Sequence, residues 1–181
     1  MVQPYEGGSS LMKGKWAAGI RPRNFTWVIR DQLAISERPG GYGQNHRKVR
    51  RQEEIIWLRV QGFGRVVSLL PTLHNLAAYD EEGLVWAHYP LERTMDPRPV
   101  LAACYQDLDE SIASSVRVLM HQDALGDQLM GVVAGYLVWS GRIVSQPHAV
   151  ALVEHVVGHA MGERGRELLA ELEGMPARQA R

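Results

Sequence analysis

The residues with the richest chemistry lie together in one short segment, between an apolar run that ends at Met120 and another that begins at Leu129. The segment supplies an imidazole, two carboxylates and two amides, in the order His121-Gln122-Asp123-Ala124-Leu125-Gly126-Asp127-Gln128. The imidazole and carboxylates could act as general acids or bases, or bind a cationic or neutral ligand. If the second apolar run is a helix, free backbone N–H groups at its N-terminus favour an anion instead. The sequence therefore predicts a functional loop at 121–128.

Two other groups of reactive side chains have simpler interpretations. Cys104 is the only cysteine, which excludes an internal disulfide, and its place on an apolar helical stripe predicts a buried structural thiol. His155 and His159 have the i, i+4 spacing of a helical metal pair, with His148 upstream, but the glutamate of a His-Glu-x-x-His motif is missing. We therefore expect no metal and no other cofactor.

The first turns of the first predicted helix, 46–61, are basic. The candidate basic surface could contact nucleic acid, anionic lipid or an acidic protein, and consists of Arg47, Lys48, Arg50 and Arg51. The nearby Glu53 and Glu54 favour a solvated helix face over such a site. Neither nucleic acid nor a membrane is therefore expected as a partner.

The elements that must position these residues alternate between strand and helix. Aromatic and β-branched runs predict strands at 25–29, 32–35, 65–70, 84–89 and 116–120. Helical periodicity and capping residues predict helices at 46–61, 98–114, 129–140, from Ser145 onward and at 164–173. The first helix is expected to bury a stripe of Val49, Ile55, Ile56 and Leu58. This order predicts a single α/β domain with a central, largely parallel twisted sheet flanked by helices, and the 121–128 loop falls at the carboxyl end of a strand, where ligands bind in such folds.

The order of elements and several local matches resemble the dual-specificity branch of the protein tyrosine phosphatases. The matching stretches are Asn24-Phe25-Thr26-Trp27-Val28-Ile29, Leu33-Ala34, Arg38-Pro39-Gly40, Val66-Val67-Ser68-Leu69, His88-Tyr89-Pro90-Leu91 and the region from Val118 to Tyr136-Leu137. The resemblance implies a phosphotyrosine-phosphatase-like fold of the dual-specificity type. It also implies that residues 121–129 occupy the place of the family's catalytic signature, and we call them the signature loop.

The signature loop departs from the family's pattern of His-Cys, five residues, Arg and a hydroxyl residue. His121 matches the histidine, but Gln122 stands at the nucleophilic cysteine, Gln128 at the phosphate-binding arginine and Leu129 at the hydroxyl position. A glutamine amide is not a thiolate nucleophile, and it lacks the charged fork of a guanidinium. Carboxylates at 123 and 127 would each repel a phosphate dianion by about 3 kcal/mol at roughly 5 Å and an effective dielectric of about 20. The loop is therefore expected to bind phosphate poorly.

The loop that supplies the family's general acid also departs from its pattern. In the family, an aspartate follows an apolar-Pro-apolar sequence and protonates the leaving oxygen. Here Pro90-Leu91 is followed by Glu92-Arg93-Thr94-Met95-Asp96, which puts Arg93 at the acid's position. Glu92 or Asp96 could replace the acid through a small shift of the loop.

These changes predict a catalytically inactive pseudophosphatase that works by binding, as a regulator or scaffold. The alternative is an enzyme with altered, non-phosphatase chemistry that uses His121, Asp123 and Asp127 in the former phosphate pocket. A third hypothesis is a nucleic-acid or membrane-surface binder that uses the basic helix.

Composition and charge set the remaining expectations. The chain has 181 residues, 45% of them hydrophobic, and lacks an apolar leader or a membrane-length apolar run, so we expect a single cytoplasmic domain. The domain is assigned to 21–174, between a flexible N-terminal arm (1–20) and a C-terminal tail (175–181). The formal net charge is zero, but residues 21–75 carry 10 basic and 4 acidic side chains and residues 76–130 carry 3 and 10. Such opposed regions could support self-association, so the expected partner is an unidentified protein or a second copy of the chain.

Overall fold

A computed structural model describes residues 18–41, 48–176 and 178, and within them five strands and five α-helices. The strands are β1 (Thr26–Ile29), β2 (Leu33–Glu37), β3 (Phe63–Ser68), β4 (Val85–His88) and β5 (Arg117–Gln122). The helices are α1 (Lys48–Val60), α2 (Arg98–Ala113), α3 (Asp127–Trp139), α4 (Gln146–Val157) and α5 (Glu163–Ala170). Two 3₁₀ helices, Leu76–Glu82 and Glu171–Gly174, complete the order, and the first of them was not expected from the sequence.

The strands form one mixed sheet in the order β1-β2-β5-β3-β4. Only β1 pairs antiparallel with its neighbour, and every other pairing is parallel. The predicted α/β domain with a largely parallel central sheet is thereby confirmed. Because β5 lies between two parallel neighbours, its carboxyl end is at the centre of the sheet edge, where both β2 and β3 also end.

Helices cover both faces of the sheet, and each face has its own apolar core. One core joins the strands to α2, α3, α4 and α5, while the other joins them to α1 and the Leu76–Glu82 helix. Helix α3 is apolar on all sides, and it is buried from Leu129 to Leu137. A helix without a polar face is stable only inside a protein, so its sequence determines its central place.

Helix α1 differs from its expected amphipathic pattern. Val49, which was expected in the buried stripe, is 70% exposed. It precedes the fully buried Leu58 by nine residues, about two and a half helical turns, so the two lie on opposite faces. The buried face instead includes Glu54, whose carboxylate accepts hydrogen bonds from the Gly40 N–H at 2.8 Å and from Arg50 Nε at 2.7 Å. Glu54 can lie on the buried face because its negative charge is paired with Arg50.

The described parts of both predicted terminal segments contact the domain. Of the arm assigned to 1–20, residues 1–17 lie outside the described residues, but the Ile20 N–H donates to the Glu53 carbonyl at 3.0 Å. In the predicted tail, the Pro176 carbonyl accepts a hydrogen bond from Trp139 Nε1, and Arg178 Nε bonds Asp109, each at 3.0 Å. These parts of the termini are fixed against α1, α2 and α3.

Helices α3 and α5 approach each other at the level of their backbones. A Cβ atom on Gly131 would lie 2.5 Å from the Gly165 carbonyl oxygen, so only hydrogen fits there. This contact holds the first turns of α3, which directly follow the signature loop.

Replacing Gly131 with alanine tests this contact. We expect Gly131→Ala to lower the free energy of unfolding by about 1–2 kcal/mol, because overlap with a fixed backbone outweighs the gain in helix propensity. Gly126→Ala is the matched control, since Gly126 has an ordinary φ of −93° and no atom within 4 Å of the added Cβ. Urea unfolding of both variants measures the difference, and equal midpoints would contradict the proposed close contact.

Candidate functional site

Strand β5 carries the signature loop to the centre of the sheet edge. Its last residues pair with both neighbours, Ser68 of β3 and Ser36 of β2 with His121, and Glu37 of β2 with Gln122. Gly126 then forms the N-cap of α3, which begins at Asp127. The strand–loop–helix arrangement expected for the signature loop is therefore present.

His121 is a buried, neutral imidazole. Its side chain is 1% exposed, and its Nε2 lies 3.0 Å from the Tyr79 hydroxyl. Burial, with smaller contributions from Arg38 and His88, lowers the pKa of His121 to about 3. An imidazole with this pKa stays neutral at physiological pH and holds the loop in place rather than exchanging protons with a ligand.

Asp123 is paired with a guanidinium from the neighbouring strand. Arg38 directly follows β2, and its backbone N–H donates to the Gln122 carbonyl at 2.7 Å. Its Nε lies 3.0 Å from Asp123 Oδ1, while the Nε–H is directed to the Gly41 carbonyl. Asp123 therefore has an ion-pair partner, and its charge in the loop is offset by a cation that the loop sequence alone did not reveal.

Asp127 does not face the interior of the loop, contrary to the expectation that its carboxylate would repel phosphate there. Its Oδ1 accepts a hydrogen bond at 2.9 Å from the N–H of Gly162, the N-cap residue of α5. The carboxylate also lies where a side chain on Gly162 would have to fit. A carboxylate at a helix N-terminus is stabilised by the free N–H groups and the helix dipole, so Asp127 joins α3 to α5.

The remaining positions of the signature divide between the core and the loop surface. Leu129, at the family's hydroxyl position, is fully buried in the core, and Gln122 and Gln128 are half-buried. The sole thiol, Cys104, is buried in α2, as expected from the sequence, and burial raises its pKa far above the ordinary value. It is a protonated core thiol rather than a displaced nucleophile.

His159 fastens the middle of the loop to the segment between α4 and α5. Its Nε2 lies 2.8 Å from the Leu125 carbonyl, and its Nδ1 lies 3.0 Å from the Ala160 carbonyl. Both ring nitrogens can donate only in the protonated imidazole. The backbone hydrogen bonds to Ala160 and then Leu125 therefore raise the pKa of this exposed side chain.

A cavity of about 440 Å³ lies beside the loop, on the side of β1 and α4. Ala124 and Leu125 of the loop form one part of its wall, and the opposite walls come from Asn24, Phe25, Thr26, Glu37, Val156, Val157 and His159. Asn24 Nδ2 donates to Glu37 at 2.7 Å within this wall. Among the described residues, this side of the loop is therefore bordered by open space.

The loop at the family's general-acid position, which was predicted to be degenerate, is exposed from Glu92 to Asp96, and Asp96 pairs with Arg98. Glu92 and Arg93 are exposed, and Asp96 accepts hydrogen bonds from Arg98 at 2.9 Å on each oxygen. The side-chain and then the backbone hydrogen bonds from Arg98 hold the pKa of Asp96 below its ordinary value. A carboxyl with a lowered pKa is a poor proton donor at neutral pH.

The predicted basic surface is divided by the fold. Arg47 lies outside the described residues, and Lys48 is exposed at the start of α1. Arg50 pairs with the buried Glu54, and Arg51 lines a crevice under the signature loop. The described members thus have different surroundings and do not form one solvated face.

The described residues contain no group of three or more side chains placed to hold a metal ion. Nor does any helix in that part of the chain have the length and apolar character needed to cross a membrane.

Comparisons with known proteins agree on the fold. No protein-family model matches the chain, and no curated protein matches it in sequence. Solved structures match over most of both chains. A kinase associated phosphatase with serine substituted for its catalytic-site cysteine has a TM-score of 0.71 at 17% identity, over 84% of this chain and 95% of the other.

Two human proteins show the same similarity. Dual-specificity phosphatase 28 has a TM-score of 0.65 at 14% identity, over 86% of this chain and 97% of its own. The tyrosine phosphatase-like serine/threonine/tyrosine-interacting protein has a TM-score of 0.61 at 11% identity, over 83% and 93%. The chain therefore has the fold of the dual-specificity and protein tyrosine phosphatases.

Three residues that contact the signature loop were not predicted to do so from the sequence. Arg38 belonged only to a matching stretch, Tyr79 lies in the unexpected 3₁₀ helix, and His159 was considered as a metal ligand. Arg38 carried a usable signal, because parallel strands that end together place the residues that follow them side by side. No local pattern indicated the other two contacts, which join segments distant in sequence.

Asp127→Ala separates a capping role from a catalytic one. We expect it to lower the free energy of unfolding by about 1 kcal/mol, because the Gly162 N–H loses its acceptor, whereas Asp127→Asn keeps an acceptor oxygen and most of the stability. Thermal and urea unfolding measure both variants. An unchanged stability for Asp127→Ala would contradict the capping role.

His159 should make the loop sensitive to pH. The pKa of His159 is raised in the folded state. The stabilisation that protonated His159 gives the folded protein is therefore complete below the ordinary pKa of 6.5, and it is lost as pH rises through the raised pKa. We expect faster hydrogen exchange, beyond the intrinsic base dependence, at the Gly126 amide, which shares a peptide group with the Leu125 carbonyl. His159→Gln should remove this excess and His155→Gln should retain it. The same profile in all three proteins would contradict the contact.

Proposed function

We propose that this protein is a catalytically inactive phosphatase-like protein that acts by binding, as a regulator or scaffold. The observation that carries the proposal is the glutamine at position 122, where the fold's chemistry requires a thiolate, combined with the burial of the only thiol in α2. Without a nucleophile at the end of β5, no phosphoenzyme can form by the family's route.

The second missing part is the guanidinium of the loop itself. Gln128 cannot form the charged, bidentate contact that stabilises a phosphoryl group in its transition state. Arg38 brings a cation beside the loop, but it faces Asp123 at 3.0 Å. This pair supports a binding role, because it leaves a nearly neutral polar surface where an active enzyme needs net positive charge.

Two similar structures support a function without hydrolysis. The kinase associated phosphatase keeps this fold with a serine at its catalytic cysteine, so the fold does not require the thiol. The human phosphatase-like protein is described by its name as an interacting protein. By analogy, we infer that the partner of the present chain is another protein, with self-association as the alternative.

The alternative of altered chemistry at His121, Asp123 and Asp127 has less support. The three side chains have separate partners, namely Tyr79, Arg38 and Gly162, and His121 is buried and neutral. Asp127 is directed to α5, so the three groups do not converge on a common ligand. No described contact favours this second function over binding.

The decisive assay is hydrolysis of an aryl phosphate by the full chain. We expect p-nitrophenyl phosphate to be hydrolysed no faster than in buffer, since loss of an activated nucleophile alone removes several orders of magnitude of rate. Gln122→Ala and Cys104→Ala should be equally inactive. The proposal would be overturned by hydrolysis that co-purifies with the protein over successive chromatography columns and whose rate changes in either variant.

A further inference from the structure

A narrow crevice lies under the signature loop, on the face of the sheet covered by α1. Its walls are contributed by the ends of β2 and β5, by α1 and by the segment after β3, and its polar lining consists of Arg38, Arg51, His74, Asn75, Tyr79 and His121. Of the signature loop, His121 lines the crevice and residues 122–128, where the family holds phosphate, do not. Its free volume of about 10 Å³ accommodates roughly one water-sized atom.

The hydrogen-bonding state of His121 follows from its neighbour. Tyr79 is 3% exposed, and burial raises its pKa well above its usual range, so the hydroxyl keeps its proton. Among the described residues, the only acceptor within hydrogen-bonding distance of that hydroxyl is His121 Nε2, at 3.0 Å. A neutral imidazole that accepts at Nε2 carries its proton on Nδ1. His121 therefore presents an Nδ1–H donor, and that buried atom has no hydrogen-bond partner within the described part of the chain.

A second donor in the crevice also lacks a partner. Asn75 has a left-handed backbone (φ 66°) at the start of the 3₁₀ helix, and its buried Nδ2 makes no hydrogen bond to any residue that the structure describes. A buried donor without an acceptor is destabilising, because it has lost its hydrogen bonds to water and gained none in the protein. Two such donors lining one small space indicate that the crevice is built for an acceptor atom.

The charges around the crevice favour an anion as the source of that acceptor. The Arg51 and Arg38 guanidiniums both line it, and desolvation, followed by repulsion from Arg38, lowers the pKa of Arg51. Of the nearby carboxylates, Asp123 pairs with Arg38 and Glu54 pairs with Arg50, and the charge of Glu81 is the smallest of the influences on Arg51. An oxyanion beside Arg51 would meet a cation and two neutral donors, which is the usual chemistry of phosphate and carboxylate recognition.

We propose that this crevice is an oxyanion-binding site, which takes one oxygen of a phosphate or carboxylate group between Arg51, Asn75 and the Nδ1–H of His121. The rest of the group remains at the opening, where His74 is exposed. Anion binding in the crevice does not depend on whether the protein hydrolyses phosphate. The proposal can therefore be tested separately from the proposed function.

The test is a titration of the full chain with sodium phosphate, followed by NMR of the Asn75 side-chain amide and the His121 imidazole. A parallel titration with sodium chloride at equal ionic strength is the control. We expect saturable shifts at both groups with phosphate only, and an Nδ1–H tautomer for His121 before ligand is added. N-acetyl-O-phosphoserine methylamide distinguishes a phosphate presented by a peptide from the free ion, and binding of either ligand at these two groups supports the proposal.

Substitutions then locate the site. Arg51→Gln should weaken phosphate binding about tenfold. Arg59→Gln is on the same helix but does not line the crevice, and Arg59 pairs with Glu82 at 3.1 Å, so it should change phosphate binding less than about twofold. Asn75→Asp supplies an internal oxyanion and tolerates the same backbone conformation. It should abolish phosphate binding and raise Tm by about 2–4 °C, whereas Asn75→Ala should lower Tm.

Three outcomes would overturn the proposal. Equal shifts with chloride would show a general salt effect, and shifts confined to backbone amides 122–128 would place the anion in the signature loop instead. A lower Tm for Asn75→Asp than for Asn75→Ala would show that the crevice rejects an anion. This last comparison remains informative if Arg51→Gln fails to fold.

Discussion

The rest of the structure depends on the position of β5, which is hydrogen-bonded along both edges by parallel strands. A strand in that position is covered by helices on both faces, so Val118, Leu119 and Met120 are fully buried. Its carboxyl end must therefore open directly into a loop at the sheet edge, with α3 returning over the sheet. The buried middle of β5 is closed to ligands, so the chemistry at this edge of the sheet depends on the few residues that follow the strand.

The electrostatics of the loop come from contacts outside it. Taken alone, its sequence is acidic, with Asp123 and Asp127 and without a cation. In the folded chain, Arg38 is beside Asp123, and Asp127 caps α5. The loop is accordingly a nearly neutral polar surface. It is held in place by the contact of His121 with Tyr79 and by that of His159 with the Leu125 carbonyl. This charge balance is one of the observations behind the proposed binding role, because stabilisation of a highly charged phosphoryl transition state needs positive charge.

Close backbone packing between α3 and α5 fixes the helix that follows the signature loop, and so helps to hold the loop in place. Gly131 and Gly165 allow α3 and α5 to touch, and Gly162 leaves room for the Asp127 carboxylate. These glycines are required by the approach of another chain segment rather than by their own φ angles. The segment after the loop is consequently one of the most constrained parts of the molecule, although the loop itself borders a cavity of about 440 Å³.

The strands and most helices were predictable from the sequence because burial on both faces of a sheet demands continuous apolar runs, such as 65–70 and 116–120, and because α3 has no polar side. The identity of the loop residues, including the absent thiol at 122, was likewise a property of the sequence. The burial of Glu54, the exposure of Val49 and the partners of Asp127, His121 and His159 were decided by tertiary structure. Each depends on a partner at least 14 residues away or on the face a helix presents, and local periodicity contains neither.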